Sequence, residues 1–265
     1  MEVLAEDPYL YRFQSGDALE VRLQIGVPIE TEHGAGFCQS AVVGLQEFEC
    51  TADDTFGALC GAIRLMKEWL FERYTKGDGL WSITDDTEAD EDEGPFPFWL
   101  LFNCRSQMTE ADKLKLEQMN TELEAELANL KSVVETEESV REHAAAKERA
   151  RAIKRTPITH VAAATRYYSL HPNGSLTPSE IVLERPYLDD LGHPVIRIAV
   201  THWNDPPFPM SGESLFSATI MTLRLAWFLL KDGCTHHGVK LFRDKDCLNP
   251  TDPASIFNDL FQPGD

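Results

Sequence analysis

The sequence predicts an α+β protein built from two related antiparallel β-β-β-α units joined by a long helix or a helical hairpin. Two observations concern the units themselves: strand-like runs precede one long helical run in each half, and the two halves resemble each other at a fixed spacing. The third is the stretch from 108 to 155, which contains no Gly and no Pro and is rich in strong helix formers. Antiparallel strands with a helix on one face are the architecture such an order implies.

In the first unit, YLYRF (9–13), ALEVRLQIGV (18–27) and FCQSAVVGL (37–45) read as strands. DDTFGALCGAIRLMKEWLFERY (53–74) reads as a helix, with Thr51 or Asp53 available as N-cap. GLWSIT (79–84) and FPFWLLF (96–102) follow as two further strands, with an acidic stretch between them. In the second unit, TRYYSL (165–170), SEIVLERPYL (179–188) and PVIRIAVTHW (194–203) are strands, and GESLFSATIMTLRLAWFLLKDG (212–233) is a helix capped by Ser211 and stopped at Gly233. GVKLF (238–242) is a last strand and SIFNDLF (255–261) a short helix.

A shift of 160 residues aligns SATIMTLRL (217–225) with GALCGAIRL (57–65), and EIVLERPYL (180–188) with EVRLQIGVP (20–28). The units therefore span 1–107 and 157–265, with a helical linker over 108–156. Within that linker Leu116, Leu123 and Leu130 recur every seven residues, with Leu127 and Val134 between them and Asn120 interrupting the stripe. The pattern fits a helix lying along its own units, or a homodimer formed through residues 109–135. The apolar helix of the second unit is too short and too interrupted by Ser217, Thr219, Thr222 and Arg224 to span a bilayer.

The formal net charge is -20. Residues 1–107 carry 21 of the 44 acidic side chains and only 7 of the 24 basic ones, so the first unit holds most of the field. Such a field repels nucleic-acid phosphates and anionic membranes and steers basic protein surfaces inward. MEVLAEDPYLYRF is acidic and broken by Pro8, without the basic start and apolar run of a secretory signal, which favours the cytoplasm. The six cysteines form no CxxC pair and read as free thiols.

Seven carboxylates, Asp85, Asp86, Glu88, Asp90, Glu91, Asp92 and Glu93, crowd into nine positions. A calcium loop needs a central glycine and a glutamate at its twelfth position; DDTEADEDEGPF has its glycine tenth and phenylalanine twelfth. The stretch reads as a solvated hairpin loop or as a docking surface for a basic partner, with Trp81, Phe96 and Trp99 as aromatic anchors. The second unit runs straight through KDGCTHHGVKLF, so the acidic hairpin is an addition to one unit.

The common phosphate-loop, nucleophile-elbow, zinc-helix and dinucleotide-binding patterns are absent. Cys234, His236, His237 and Cys247 match no zinc spacing, and adjacent histidines tend to diverge. His202 sits in a turn before Pro206 and Pro207, and Asn173-Gly174-Ser175 reads as a hairpin turn. No catalytic residue, metal or cofactor is expected. In its β-β-β-α order over residues 11–74 and 167–230 and in its acidity, the chain resembles bacterial toxin-immunity-type proteins. That resemblance implies a non-enzymatic intracellular protein that occludes a basic toxin. An inhibitor that mimics DNA with its carboxylates, or a dimeric scaffold using the central helix, are the alternatives.

Overall fold

A computed structural model of the chain describes residues 1–83, 101, 102, 113, 114, 117, 121, 157–189, 192–201, 207–211, 214–247 and 249–261. The first half comprises β1 (Val3–Arg12), β2 (Ala18–Gly26), β3 (Ile29–Glu30), β4 (Gly36–Val42), β5 (Gln46–Ala52), α1 (Thr55–Thr75) and β6 (Gly79–Ser82). The second comprises β7 (Val161–Leu170), β8 (Leu176–Glu184), β9 (Tyr187–Leu188), β10 (Pro194–Val200), β11 (Phe208–Ser211), α2 (Leu215–His236), β12 (Lys240–Phe242) and α3 (Pro253–Ile256). The molecule is α+β, with two antiparallel six-stranded sheets.

Each half is richer than the expected β-β-β-α unit. In the first sheet the order is β3-β4-β2-β1-β6, and β5 pairs with the other edge of β4. In the second it is β11-β10-β8-β7-β12, with β9 on β10, so every pairing of one sheet has its counterpart in the other. The long hairpin strands match in length, and each first strand carries a register irregularity at its start, between Val3 and Ala5 and between Val161 and Ala163. The first four strands correspond at a spacing of 158, for example Val3 with Val161 and Gly36 with Pro194, whereas the helix N-caps Asp54 and Ser214 correspond at 160. Aligning EVRLQIGVP with EIVLERPYL at 160 is therefore two residues out of register. Side chains alternate with a period of two along a strand, so a two-residue slip keeps the apolar pattern matched and hides itself.

The turn between β7 and β8 bears out the hairpin read at Asn173-Gly174. Gly174 adopts φ 83, and Asn173 Oδ1 accepts from the Ser175 amide at 2.9 Å.

α1 starts at Asp54, whose Oδ1 accepts from the Gly57 amide at 2.7 Å; Thr51 belongs to β5 and Asp53 precedes the cap. α2 starts at Ser214 in a reciprocal capping box with Ser217, and Ser211 closes β11 instead. It runs past Gly233 to His236. Each helix covers the inner face of its own sheet, α1 on β4 and β5, α2 on β10 and β11. Leu23, Ile25, Val42, Leu59, Ile63 and Met66 form the centre of the first layer, all fully buried. Gly36 lets β4 approach the α1 cap: a Cβ there would lie 2.0 Å from the Asp54 carbonyl oxygen.

Among the described residues no helix is long and apolar enough to cross a membrane. Leu101 is helical and Phe102 lies in a turn, so the described end of FPFWLLF is not the strand its composition suggests. Both are buried, and Phe102 meets Phe216 edge-on at 6.1 Å. In the central segment Lys113, Leu114, Glu117 and Thr121 are helical, and Thr121 Oγ1 donates to the Glu117 carbonyl at 2.8 Å. The rest of that segment, including the leucine stripe, lies outside the described residues.

Candidate functional site

Directly opposed residues on antiparallel strands point to the same side of a sheet. The register therefore sets Glu6, Gln24, Ala41 and Glu47 in one row across β1, β2, β4 and β5. Glu20, Leu10 and Trp81 form a second row across β2, β1 and β6, and Gln39 faces Glu49 in a third. All of these lie on the side away from α1, where Glu6, Glu20, Glu47 and Glu49 are exposed. Gln24 Nε2 donates to Glu6 Oε2 at 2.8 Å and Gln39 Nε2 to Glu49 Oε1 at 2.8 Å, which orients two of the four carboxylates. Arg22 shares this face, and the Arg12 guanidinium lies 5.0 Å from the Trp81 ring centroid. A shallow pocket of about 730 Å³ follows the β4–β5 turn, lined by Met1, Gln24, Gln39, Val43, Gln46 and Glu47.

The corresponding face of the second sheet is different. Ala164 stands where the first half has Glu6, Pro178 where it has Glu20, Arg197 where it has Gln39, and Pro209 where it has Glu49. Glu180 on that face is accompanied by Arg166, 3.9 Å away. The carboxylates are thus a property of one sheet and are not required by the shared topology.

Of the residues singled out from the sequence, Trp81 is described: it lies half-buried in β6, on the edge of this acidic face. β6 ends at Ser82, opposite Tyr9 on that edge. Asp85, Asp86, Glu88, Asp90, Glu91, Asp92, Glu93, Phe96 and Trp99 lie outside the described residues, as does His202. Net charge by segment marks the first half as the more acidic, but Glu6, Glu20, Glu47 and Glu49 come from three strands and only pairing register sets them on one face.

The junction between the halves is a second polar cluster. The Thr165 hydroxyl of β7 donates to Oδ2 of the α1 cap Asp54 at 2.5 Å, and Thr55 Oγ1 accepts from the Ala164 amide at 3.1 Å. Reciprocally, the hydroxyl of the α2 cap Ser214 donates to Asp7 Oδ2 of β1 at 2.9 Å, as does the Tyr9 hydroxyl at 2.9 Å. Asp7 and Thr165 occupy the same place in their strands, as Asp54 and Ser214 do before their helices. Arg243 completes the first cluster, with Nη1 3.3 Å from Asp54 Oδ2 and Nη2 donating to the Ser255 carbonyl at 3.2 Å. A pocket of about 240 Å³ opens beside it, lined by Asp53, Asp54, Arg243 and Asn258.

At the end of α2, His236 Nδ1 lies 2.8 Å and His237 Nε2 3.4 Å from the two carboxylate oxygens of Asp232, so these adjacent histidines converge. The helix ends at His236, and the turn that follows brings the second ring back over the last helical turn. Among the described residues no three His, Cys, Asp or Glu side chains are grouped to hold a metal ion. Cys38, Cys50, Cys60, Cys234 and Cys247 are free thiols.

Burial, with Cys50 nearby, pushes the Cys38 thiol up from 9.0 to about 12, and burial with Asp252 nearby pushes Cys234 up to about 11. Burial also raises the phenol of Tyr11, which donates to Asp78 Oδ2 at 2.6 Å. A folded-state value above the unfolded one means stability that is complete below the unfolded value and lost as pH rises through the folded one. Stability should accordingly fall as pH rises from 9 toward about 12, by at most about 1.4 kcal/mol per pH unit for the buried Cys38 thiol. Denaturant midpoints across that range check it, and Cys38→Val should make the decline shallower; an equal slope in the variant would remove Cys38 as a cause.

Comparison with protein-family models, with characterised proteins and with solved structures finds no match to this chain.

Proposed function

We propose that this chain is a non-enzymatic binding protein of the cytoplasm that uses the acidic outer face of its first sheet, together with the carboxylates of 85–93, to bind a basic protein, in the manner of an immunity protein covering a toxin. The observation that carries this reading is the contrast between the two sheets: the same topology bears Glu6, Glu20 and Glu49 on one outer face and Ala164, Pro178 and Pro209 on the other. Four carboxylates against the single guanidinium of Arg22 between their rows leave the face net negative and add nothing to the core, so their concentration is best explained by a cationic surface that meets them. Trp81, at the edge of the face, supplies an aromatic anchor beside the charge. The matching pairings and strand lengths of the two sheets support descent of both halves from one duplicated unit, with 108–156 as a helical connector.

The test is binding to the basic product of the gene adjacent to the one encoding this chain. Changing Glu6, Glu20, Glu47 and Glu49 together to Gln should lower the association rate about tenfold at low salt and flatten its salt dependence, with the melting temperature held. Unaltered association kinetics would remove the sheet face from the function. An adjacent gene for a metabolic enzyme, with no binding, would overturn the immunity reading itself.

A further inference from the structure

The pairing of β4 with β5 sets Cys38 directly opposite Cys50. Opposed residues of an antiparallel pair have Cα atoms about 4.5 or 5.5 Å apart, according to whether they exchange hydrogen bonds, and both values fall within the roughly 4.4–6.8 Å span that a disulfide bridges. The two side chains share the inner face of the sheet, beneath α1: a Cβ on Gly61 would lie 2.3 Å from Cys50 Sγ. Their surroundings differ. Cys38 is 1% exposed and its thiol donates to the Gly26 carbonyl at 3.4 Å, whereas Cys50 sits on the edge strand and is reached by solvent. Asn258 Nδ2 donates to Cys50 Sγ at 3.7 Å; burial raises the Cys50 thiol above its ordinary value, and the Arg64 guanidinium and the Asn258 hydrogen bond offset part of that rise.

We infer that Cys38 and Cys50 are an oxidisable thiol pair, with Cys50 oxidised first by a peroxide and Cys38 closing a cross-strand disulfide. The Cys50 thiolate attacks one oxygen of hydrogen peroxide, breaking the O–O bond, and becomes a sulfenic acid while hydroxide leaves. The Cys38 sulfur then attacks the Cys50 sulfur, the S–O bond breaks, and the departing hydroxide takes the Cys38 proton as water. Two thiols and one peroxide thus give one disulfide and two waters, with both electrons passing to the peroxide; an external dithiol reverses the change. Drawing Cys50 Sγ toward Cys38 takes it from Asn258, so oxidation also loosens a contact between the edge strand and the C-terminal segment.

Cys60 is the rival partner, since it is fully buried and close enough to both thiols to feel their charge. The folded full-length chain is treated with hydrogen peroxide, its remaining thiols are alkylated, and it is cleaved after glutamate. Cleavage after Glu47 and Glu49 puts Cys38 and Cys50 on separate peptides. The expected product is a Cys38–Cys50 cross-link, cleaved by dithiothreitol and retained in Cys60→Ala. Cys38→Ser should leave Cys50 as a sulfenic acid captured by dimedone, and Cys50→Ser should leave Cys38 free to alkylate. Loss of the cross-link in Cys60→Ala, or dimedone labelling of Cys38 in place of Cys50, would overturn the assignment, as would a wild-type protein that oxidises without any cross-link.

Discussion

Arg197→Met should lower stability by about 3–5 kcal/mol, because it strands a buried carboxylate. Arg197 in β10 and Glu184 in β8 are each 4% exposed. The guanidinium places Nε on one Glu184 oxygen and Nη2 on the other, and Nη2 also donates to the Pro157 carbonyl at 3.3 Å. Two parallel charge-assisted bonds hold both groups without water. Removing the cation alone leaves Glu184 where neither water nor a counter-charge reaches it. Replacing both, as Arg197→Met with Glu184→Leu, should recover most of the loss, since an apolar pair in the same volume is often neutral. Urea unfolding at neutral pH measures both. A loss below about 1 kcal/mol in the single variant would show the pair to be as dispensable as surface ion pairs.

Phe257→Ala should cost about 3–5 kcal/mol, the range for truncating a buried aromatic residue. After α3 the chain lays Phe257 and Phe261 into the core, both fully buried. The Phe257 ring meets Phe56 of α1 edge-on at 5.2 Å, and Phe261 lies 5.7 Å from Trp227 of α2. Between them the Leu260 carbonyl accepts from Lys67 Nζ of α1 at 2.7 Å. The segment therefore joins the two helices from opposite halves, and the cavity left by Phe257 sits at their meeting point. The expected reading is a lower denaturant midpoint with the same slope. A variant within about 1 kcal/mol of wild type would mean that the segment does not complete the core.

Both helices were legible because long runs of helix-compatible residues lie between real caps, although the caps themselves fell one to three residues later than the first candidates. β5 was not legible. QEFECTA is an edge strand whose side chains are mostly exposed, so it lacks the apolar alternation that marks a half-buried strand. Its Thr51, one residue before Ala52 ends the strand, looks from sequence like a helix cap. The described end of FPFWLLF departs in the other direction: Leu101 and Phe102 are as buried as strand composition suggests, yet burial by Phe216 does not require an extended backbone. The acidic face is not legible in the sequence because charge along the chain says nothing about side, and Glu6 and Glu47 fall in one row only through two intervening strands. The seven carboxylates from Asp85 to Glu93 are legible because they crowd into nine consecutive positions.

The junction escaped for a similar reason, with its partners separated by 111 residues in one case and 207 in the other. Its chemistry gives the two halves an address. At one contact the helix cap brings the carboxylate and the strand the hydroxyl; at the other the roles are exchanged. Two first halves meeting in this geometry would set Asp54 against Asp7, like charge on like charge, and two second halves would set Ser214 against Thr165 without any charged acceptor. A half that comes loose is thus matched by its complement, from the same chain or another, and not by a copy of itself.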